Sequence, residues 1–166
     1  MLGIFKLKKA LLTDDSLSFE QVFKQHYNYV FRLAFNLCGN VADAEDIAQE
    51  VFLGVNNSLD GFKGKSQLKT WIYRITIRIT YRYLSRLKSN ESIDEHEIEI
   101  ESNAPKMDTS VLKVMLKLPL EQRTIISLIA IEGLSHQQVA EILNVPVGTI
   151  GSRLYTARKN LARLLR

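Results

Sequence analysis

The stretch GLSHQQVAEILNVPVGTIGSRLYTARKNLARLLR, Gly133 to Arg166, decides the fold. Glycine adopts the left-handed conformation that closes a helix, and Ser135 with Gln138 three residues later is a capping box, so one helix ends and another begins here. Val139, Ala140, Ile142 and Leu143 give the new helix a short apolar face. Asn144 tolerates a turn conformation and Pro146 pushes Val145 out of the α region, which stops this helix near Leu143. A second helix starts at Val147, because Val147, Ile150, Leu154, Ala157 and Leu161 fall on one stripe at about 100° per residue. Ser152, Tyr155 and Lys159 then point the other way, flanked by Arg153 and Arg158. This is a helix-turn-helix. From Asn144 onward there are five Lys or Arg and no Asp or Glu, so its second helix suits a groove walled by phosphates. A solvated terminal helix whose basic end complements the helix dipole has the same charge, but cap, turn and charge agree on DNA.

Composition bounds the rest. The 166 residues suffice for one domain or two small ones, with 46% hydrophobic and 24% charged residues in an ordinary soluble balance. The net charge of +4 understates how basic the folded parts are. Ser89 to Ser110, SNESIDEHEIEIESNAPKMDTS, holds seven of the 18 acids and only Lys106 of the 22 bases, so the remainder carries 21 − 11, or +10. Clustered acids and one proline in this stretch give nothing to build a core from. It reads as a flexible acidic linker over 89–110. Alternating Ile93, Ile98 and Ile100 offer a short strand there as a weaker alternative. The chain therefore divides into a basic N-terminal tail (1–18, with Gly3 to Leu12 loose or a short helix), a helical unit (19–88), the linker and a helix-turn-helix unit (111–166). The fold class is all-α, two small helical domains expected to move relative to one another in the free chain. Cys38 alone allows no internal disulfide and fits a buried thiol in a reducing cytoplasm. No apolar run approaches a membrane span.

Three helices are expected in the N-terminal unit. Ser18 with Gln21 opens the first, whose apolar residues Phe19, Val22, Phe23, Val30, Phe31 and Ala34 run to Gly39; His26 within it reads as packing or surface. In the second, about Ala42 to Asn57, Ala44, Ile47, Ala48, Val51 and Val55 face the core, while Asp46, Gln49, Glu50 and Asn57 face away with Leu53 among them. An acidic face is ordinarily a solvated one, yet a leucine ringed by carboxylates is also what a partner-binding face contains. The loop Asp60-Gly-Phe-Lys-Gly-Lys-Ser66 combines flexible backbone, lysines and an aromatic, which suit an unstacked base and its phosphate as well as a plain connection. It lacks the glycine spacing of a nucleotide-binding P-loop. In the third helix, about Leu68 to Leu87, Leu68, Trp71, Ile72, Ile75, Ile79 and Tyr83 cluster on the buried side. Arg74, Arg78, Tyr81, Ser85 and Lys88 share an arc of about 80°. Arginines for phosphate and an aromatic stacking plane make that arc a nucleic-acid surface. Trp71, at its edge, is open to core or DNA.

Asp43-Ala-Glu-Asp-Ile-Ala-Gln-Glu-Val-Phe52, Phe62-Lys-Gly-Lys-Ser66, Lys69-Thr-Trp-Ile-Tyr-Arg-Ile75, Leu118-Pro119 and Pro146-Val-Gly-Thr-Ile-Gly-Ser-Arg-Leu154, in this order and with the linker between, resemble a bacterial RNA polymerase sigma factor of the extracytoplasmic-function (ECF) group. The resemblance covers nearly everything from Phe19 onward. It implies that Asp43, Asp46, Gln49, Glu50 and Leu53 dock on the clamp coiled coil of core RNA polymerase. It implies that Phe62, Lys63, Gly64, Lys65, Ser66 and Gln67 capture a flipped base of the promoter minus-ten element. Trp71, Arg74, Arg78 and Tyr81 would separate and hold the strands, and Ser135, Thr149, Ser152, Arg153, Tyr155, Arg158 and Lys159 would read the minus-thirty-five element. It further implies promoter DNA and an anti-sigma factor as partners, a cytoplasmic location with or without tethering by that partner, no membrane insertion, no cofactor, no metal and no catalytic residue. Two residues depart from the family pattern: Arg78 stands where many relatives have asparagine, and Gly151 where lysine or arginine is common, at a cost of about 1 kcal/mol of helix stability relative to alanine.

Two other readings explain less. An autonomous helix-turn-helix regulator accounts for the C-terminal third but leaves the acidic face and the third-helix arc unused. A metal-dependent enzyme built on Asp43, Asp46 and Glu50 lacks a second facing cluster, since His26, His96 and His136 are scattered.

Overall fold

The computed structural model describes residues 18–90 and 109–166, which form seven α-helices: α1 (Phe19–Cys38), α2 (Val41–Ser58), α3 (Leu68–Asn90), α4 (Thr109–Leu116), α5 (Leu120–Ile126), α6 (His136–Leu143) and α7 (Val147–Leu164). A 3₁₀ turn, Leu59–Gly61, follows α2, and α5 runs on into a π-helical turn, Ser127–Ile131. Among the described residues there is no strand. The N-terminal tail, with Gly3 to Leu12 loose or a short helix, and residues 91–108 of the expected linker, with the weaker strand alternative at Ile93, Ile98 and Ile100, lie outside the described residues.

Local chemistry sets the helix ends. The Ser18 hydroxyl accepts from the Gln21 N–H, and α1 closes at Gly39, φ 79°, where a Cβ would collide with the Leu116 side chain of α4. The start of α2 is capped by Asn40, whose side-chain oxygen accepts from Asp43 N at 3.0 Å; that cap was not part of the sequence expectation. The Ser135–Gln138 box is closed in both directions, at 3.2 and 2.9 Å. Asn144 ends α6 in the left-handed region, φ 53°, as its turn tolerance allows. The third helix runs three residues beyond the expected Leu87.

Ala44, Ile47, Ala48, Val51 and Val55 of α2 meet Val22, Val30 and Leu33 of α1 and Ile72, Ile75 and Ile79 of α3 in one core. Each large side chain there contributes about 1.5–3 kcal/mol by leaving water. The helix-turn-helix unit has its own cluster, in which Leu154 and Ala157 of α7 close on Met115, Leu118, Ile125 and Ile126. Val147, expected on the same stripe, sits in the first turn of α7 and is 40% exposed. Two units free of one another were expected, but here they are packed together. Leu112, Leu128, Val139, Ala140, Ile142 and Ile150 of the second unit belong to the core cluster of the first. Ile77 and Tyr73 of α3 are buried as well, Tyr73 with its ring 4.8 Å from that of Tyr29 of α1.

Candidate nucleic-acid interface

The acidic face of α2 is ordered by α3. Asp43, Asp46, Glu50 and Leu53 follow one another at three- and four-residue steps, so they share a face. The Tyr83 hydroxyl donates to Asp43 Oδ1 at 2.9 Å and reaches Asp46 Oδ2 at 3.3 Å. Desolvation first, then its bond to the Asp43 carboxylate, hold this phenol protonated well above its ordinary range. Tyr83 was expected in the core; it is half-buried because the carboxylates draw its hydroxyl to the rim. Arg82 donates to Glu50 Oε2 at 2.8 Å and Arg86 lies 3.7 Å from Glu50 Oε1. Pairs this exposed contribute at most about 1 kcal/mol each, so they orient the carboxylates without sequestering them. Leu53 stands out at 64% exposure, with Gln49 exposed nearby. Neither Arg82, Arg86 nor Tyr83 was legible as a partner of α2, since cross-helix pairing leaves no periodic trace in either helix.

The loop before α3 carries an aromatic platform. Phe62 packs on Trp71 with ring centroids 5.1 Å apart, and both are half-buried, while Lys63, Gly64, Lys65 and Gln67 are exposed and Ser66 is half-buried. Trp71 thus lies against the core cluster by one edge and against the loop by the other. Lys69 sits over the rings of Tyr29 and Tyr73, 5.4 and 5.7 Å from their centroids.

The basic arc of α3 is less open than its helical projection implies. Arg78 is exposed, but Arg74 donates Nε and Nη2 to the Glu141 carbonyl at 3.1 and 2.8 Å, and the Tyr81 hydroxyl bonds Thr124 Oγ1 at 2.8 Å. Burial raises the Tyr81 phenol above its ordinary pKa. Between the units lies an open cavity of about 270 Å³ in which Arg74, Arg78, Tyr81, Glu121 and Arg153 stand over apolar side chains.

On α7, Ser152, Tyr155, Arg158 and Lys159 are exposed, Tyr155 at 71%. Thr149 is half-buried in the first turn. Arg153 is exposed as well and borders the cavity beside α3. The Ser135 side chain is taken up by its capping box. A Cβ on Gly151 would meet nothing within 4 Å, so the missing side chain is not excluded by packing.

His26 is half-buried beside Tyr29, ring centroids 5.2 Å apart, and desolvation with Lys69 nearby lowers its imidazole pKa. The Cys38 thiol donates to the Asn40 carbonyl and is pushed up to about 12 by burial. Among the described residues no group of three or more His, Cys, Asp or Glu is arranged to hold a metal, and no helix is long and apolar enough to cross a membrane.

The family model for Sigma-70 region 2 matches residues 22–90, and that for Sigma-70 region 4 matches residues 108–161. The chain is 29% identical to the ECF RNA polymerase sigma factor SigW of Bacillus subtilis over 98% of its own length and 97% of that protein's. It is 33% identical to the ECF RNA polymerase sigma-E factor of Haemophilus influenzae, over 70% and 71% of the two lengths. Among solved structures, the sigma factor RpoE from Bartonella quintana, in complex with the anti-sigma factor NepR, matches with a TM-score of 0.73 at 25% identity, covering 89% of this chain and 96% of that one. CnrH, in complex with the cytosolic domain of CnrY, matches with a TM-score of 0.67 at 23% identity over 89% and 86%.

Proposed function

The chain belongs to the ECF group of RNA polymerase sigma factors, and we propose how its residues share the work of such a factor. As a sigma factor it binds core RNA polymerase and directs promoter recognition and transcription initiation, and we assign it no covalent chemistry. Asp43, Asp46, Gln49, Glu50 and Leu53 dock on the polymerase. The observation that carries this assignment is Leu53, 64% exposed on a face of carboxylates already oriented by Tyr83 and Arg82; an apolar centre with a charged rim is the anatomy of a specific interface.

Phe62 and Trp71 take an unstacked minus-ten base, with Lys63 and Lys65 on its phosphates and the backbone of Gly64, Ser66 and Gln67 lining the approach. Removing a base from the stack costs a few kcal/mol, which the platform and the polymerase contacts offset. Arg74, Arg78 and Tyr81 hold the opened strand. Tyr155, Ser152, Arg158 and Lys159 read duplex at the minus-thirty-five element, with Thr149 at the helix start, Arg153 at the flank and Ser135 supporting the reader through its cap. Without a basic side chain at position 151, recognition leans on these residues and on DNA shape.

The sigma factor RpoE, of matching fold, is in complex with the anti-sigma factor NepR, and an anti-sigma partner is proposed for this chain too, in the cytoplasm or tethered at the membrane through that partner. The test of docking is charge reversal. Asp46→Lys with Glu50→Lys is expected to abolish the complex with bacterial core polymerase in gel filtration, with helical content unchanged. Normal complex formation by this double variant would overturn the assignment.

A further inference from the structure

Val147 opens α7 directly after Pro146 and breaks the burial pattern of the helix. Ile150, Leu154 and Ala157 are 4% exposed or less, whereas Val147 is 40% exposed. The helical step explains the difference. At about 100° per residue, Val147 stands roughly 50° off the mean direction of that buried stripe, on the side of Gly151 and Tyr155. It borders an open recess between α6 and α7, lined also by Gln137 and Glu141. Its neighbours toward the outer face are glycines. A Cβ on Gly148 or Gly151 would meet nothing within 4 Å, so packing inside the protein requires neither of them. They leave Val147 standing beside bare backbone at the start of the helix.

A single exposed valine is ordinary on a protein surface. This one gains meaning from its position, because in a helix-turn-helix the N-terminal residues of the second helix meet base edges in the major groove. There its chemistry is restrictive. The isopropyl group neither donates nor accepts a hydrogen bond, so against a polar base edge it takes water from a group that then goes unpaired. The apolar group that the bases present in the major groove is the 5-methyl of thymine. β-Branching fixes the valine χ1 in a helix, so its methyls are in place before contact and lose little freedom on making it. Gly148 and Gly151 add the clearance that lets the backbone of α7 approach the groove floor closely.

We infer that Val147 is a specificity residue: it packs on the 5-methyl group of a thymine in the minus-thirty-five element, while Gly148 and Gly151 admit the close approach. This rests on the duplex-reading role proposed above for α7. Selection of thymine over cytosine at that base pair then needs no hydrogen bond from the protein, and it adds to what Ser152, Arg158 and Lys159 supply by polar contacts.

The test uses the full chain with core RNA polymerase and a promoter fragment from upstream of its own gene. Each thymine of the minus-thirty-five element, on either strand, is replaced in turn by deoxyuridine, which removes the methyl and leaves every hydrogen-bonding group in place. One replacement should weaken binding of the wild-type complex about fourfold, the ratio that corresponds to burying one methyl group at about 0.8 kcal/mol. Val147→Ala should weaken binding to the thymine fragment by a similar factor and should lose the response to that replacement altogether. Alanine is a better helix former than valine, so helical content should be retained; Val147→Ser provides a second variant and should also lose the response. Equal responses of wild type and Val147→Ala at every thymine, or no response at any, would overturn the inference. A wild-type protein that forms no polymerase complex, or whose promoter complex ignores base changes throughout the minus-thirty-five element, would instead remove the reading on which it rests.

Discussion

Replacing Gly151 by alanine adds one methyl group to the middle of α7, at a position where a Cβ meets no atom within 4 Å. The methyl therefore gains no packing and suffers no clash, and what remains is helix propensity. Glycine lies about 0.8–1.0 kcal/mol above alanine in a helix interior, from the backbone freedom it loses. About 1 kcal/mol of added stability follows. For a chain of 166 residues unfolding as one unit, that raises the melting temperature by about 2–4 °C; were the smaller C-terminal unit to melt alone, the rise would be about 4–8 °C. Thermal unfolding followed by circular dichroism separates these outcomes, and the size of the shift reports whether the shared core couples the two units. Gly151→Lys should keep most of the gain and steepen the salt dependence of duplex binding by about one unit. An unchanged or lower melting temperature for Gly151→Ala would refute the reasoning, since it would mean that the helix is not regular at that residue.

Other substitutions probe the rest of the chain. Ser135→Ala opens the capping box of α6 and should cost about 1 kcal/mol in chemical denaturation, whereas Asn144→Gly, which keeps the left-handed turn, should be tolerated and Asn144→Val should cost about 1–2 kcal/mol. His26 has a folded-state pKa below its ordinary 6.5, so the unfolded chain binds its proton more readily. Its contribution is in place above pH 6.5 and falls away as the pH drops below that value; His26→Gln should flatten this part of the stability–pH curve. The Cys38 thiol, raised to about 12, should resist iodoacetamide at pH 8 in the native chain and react promptly in urea.

What the residues alone disclosed divides along physical lines. Ser18, Ser135 and Asn144 announced helix ends because caps and turns act over three or four residues, and the α2 core stripe was readable because amphipathicity is periodic. Asn40 was missed although it acts by the same local rule. Glu132 could not have been found, since its partners Arg32 and Tyr73 lie 100 and 59 residues away and the pairing leaves no pattern in either segment. One sign of the packed seam was present. In α3, Tyr73 and Ile77 are apolar in addition to the Ile72, Ile75 and Ile79 stripe, and a helix apolar on more than one side is buried on more than one side. The same seam explains why Arg74 and Tyr81, outward in projection, are engaged within the molecule.

The most direct measurement is promoter opening by core polymerase reconstituted with this protein, read with a fluorescent base in the minus-ten element of the promoter upstream of its own gene. The account predicts opening that needs both protein and polymerase. Phe62→Ala with Trp71→Ala should fail on duplex DNA yet transcribe from a pre-melted template, whereas Asp46→Lys with Glu50→Lys should fail on both. Tight duplex binding by the protein alone, with no opening when polymerase is added, would contradict it.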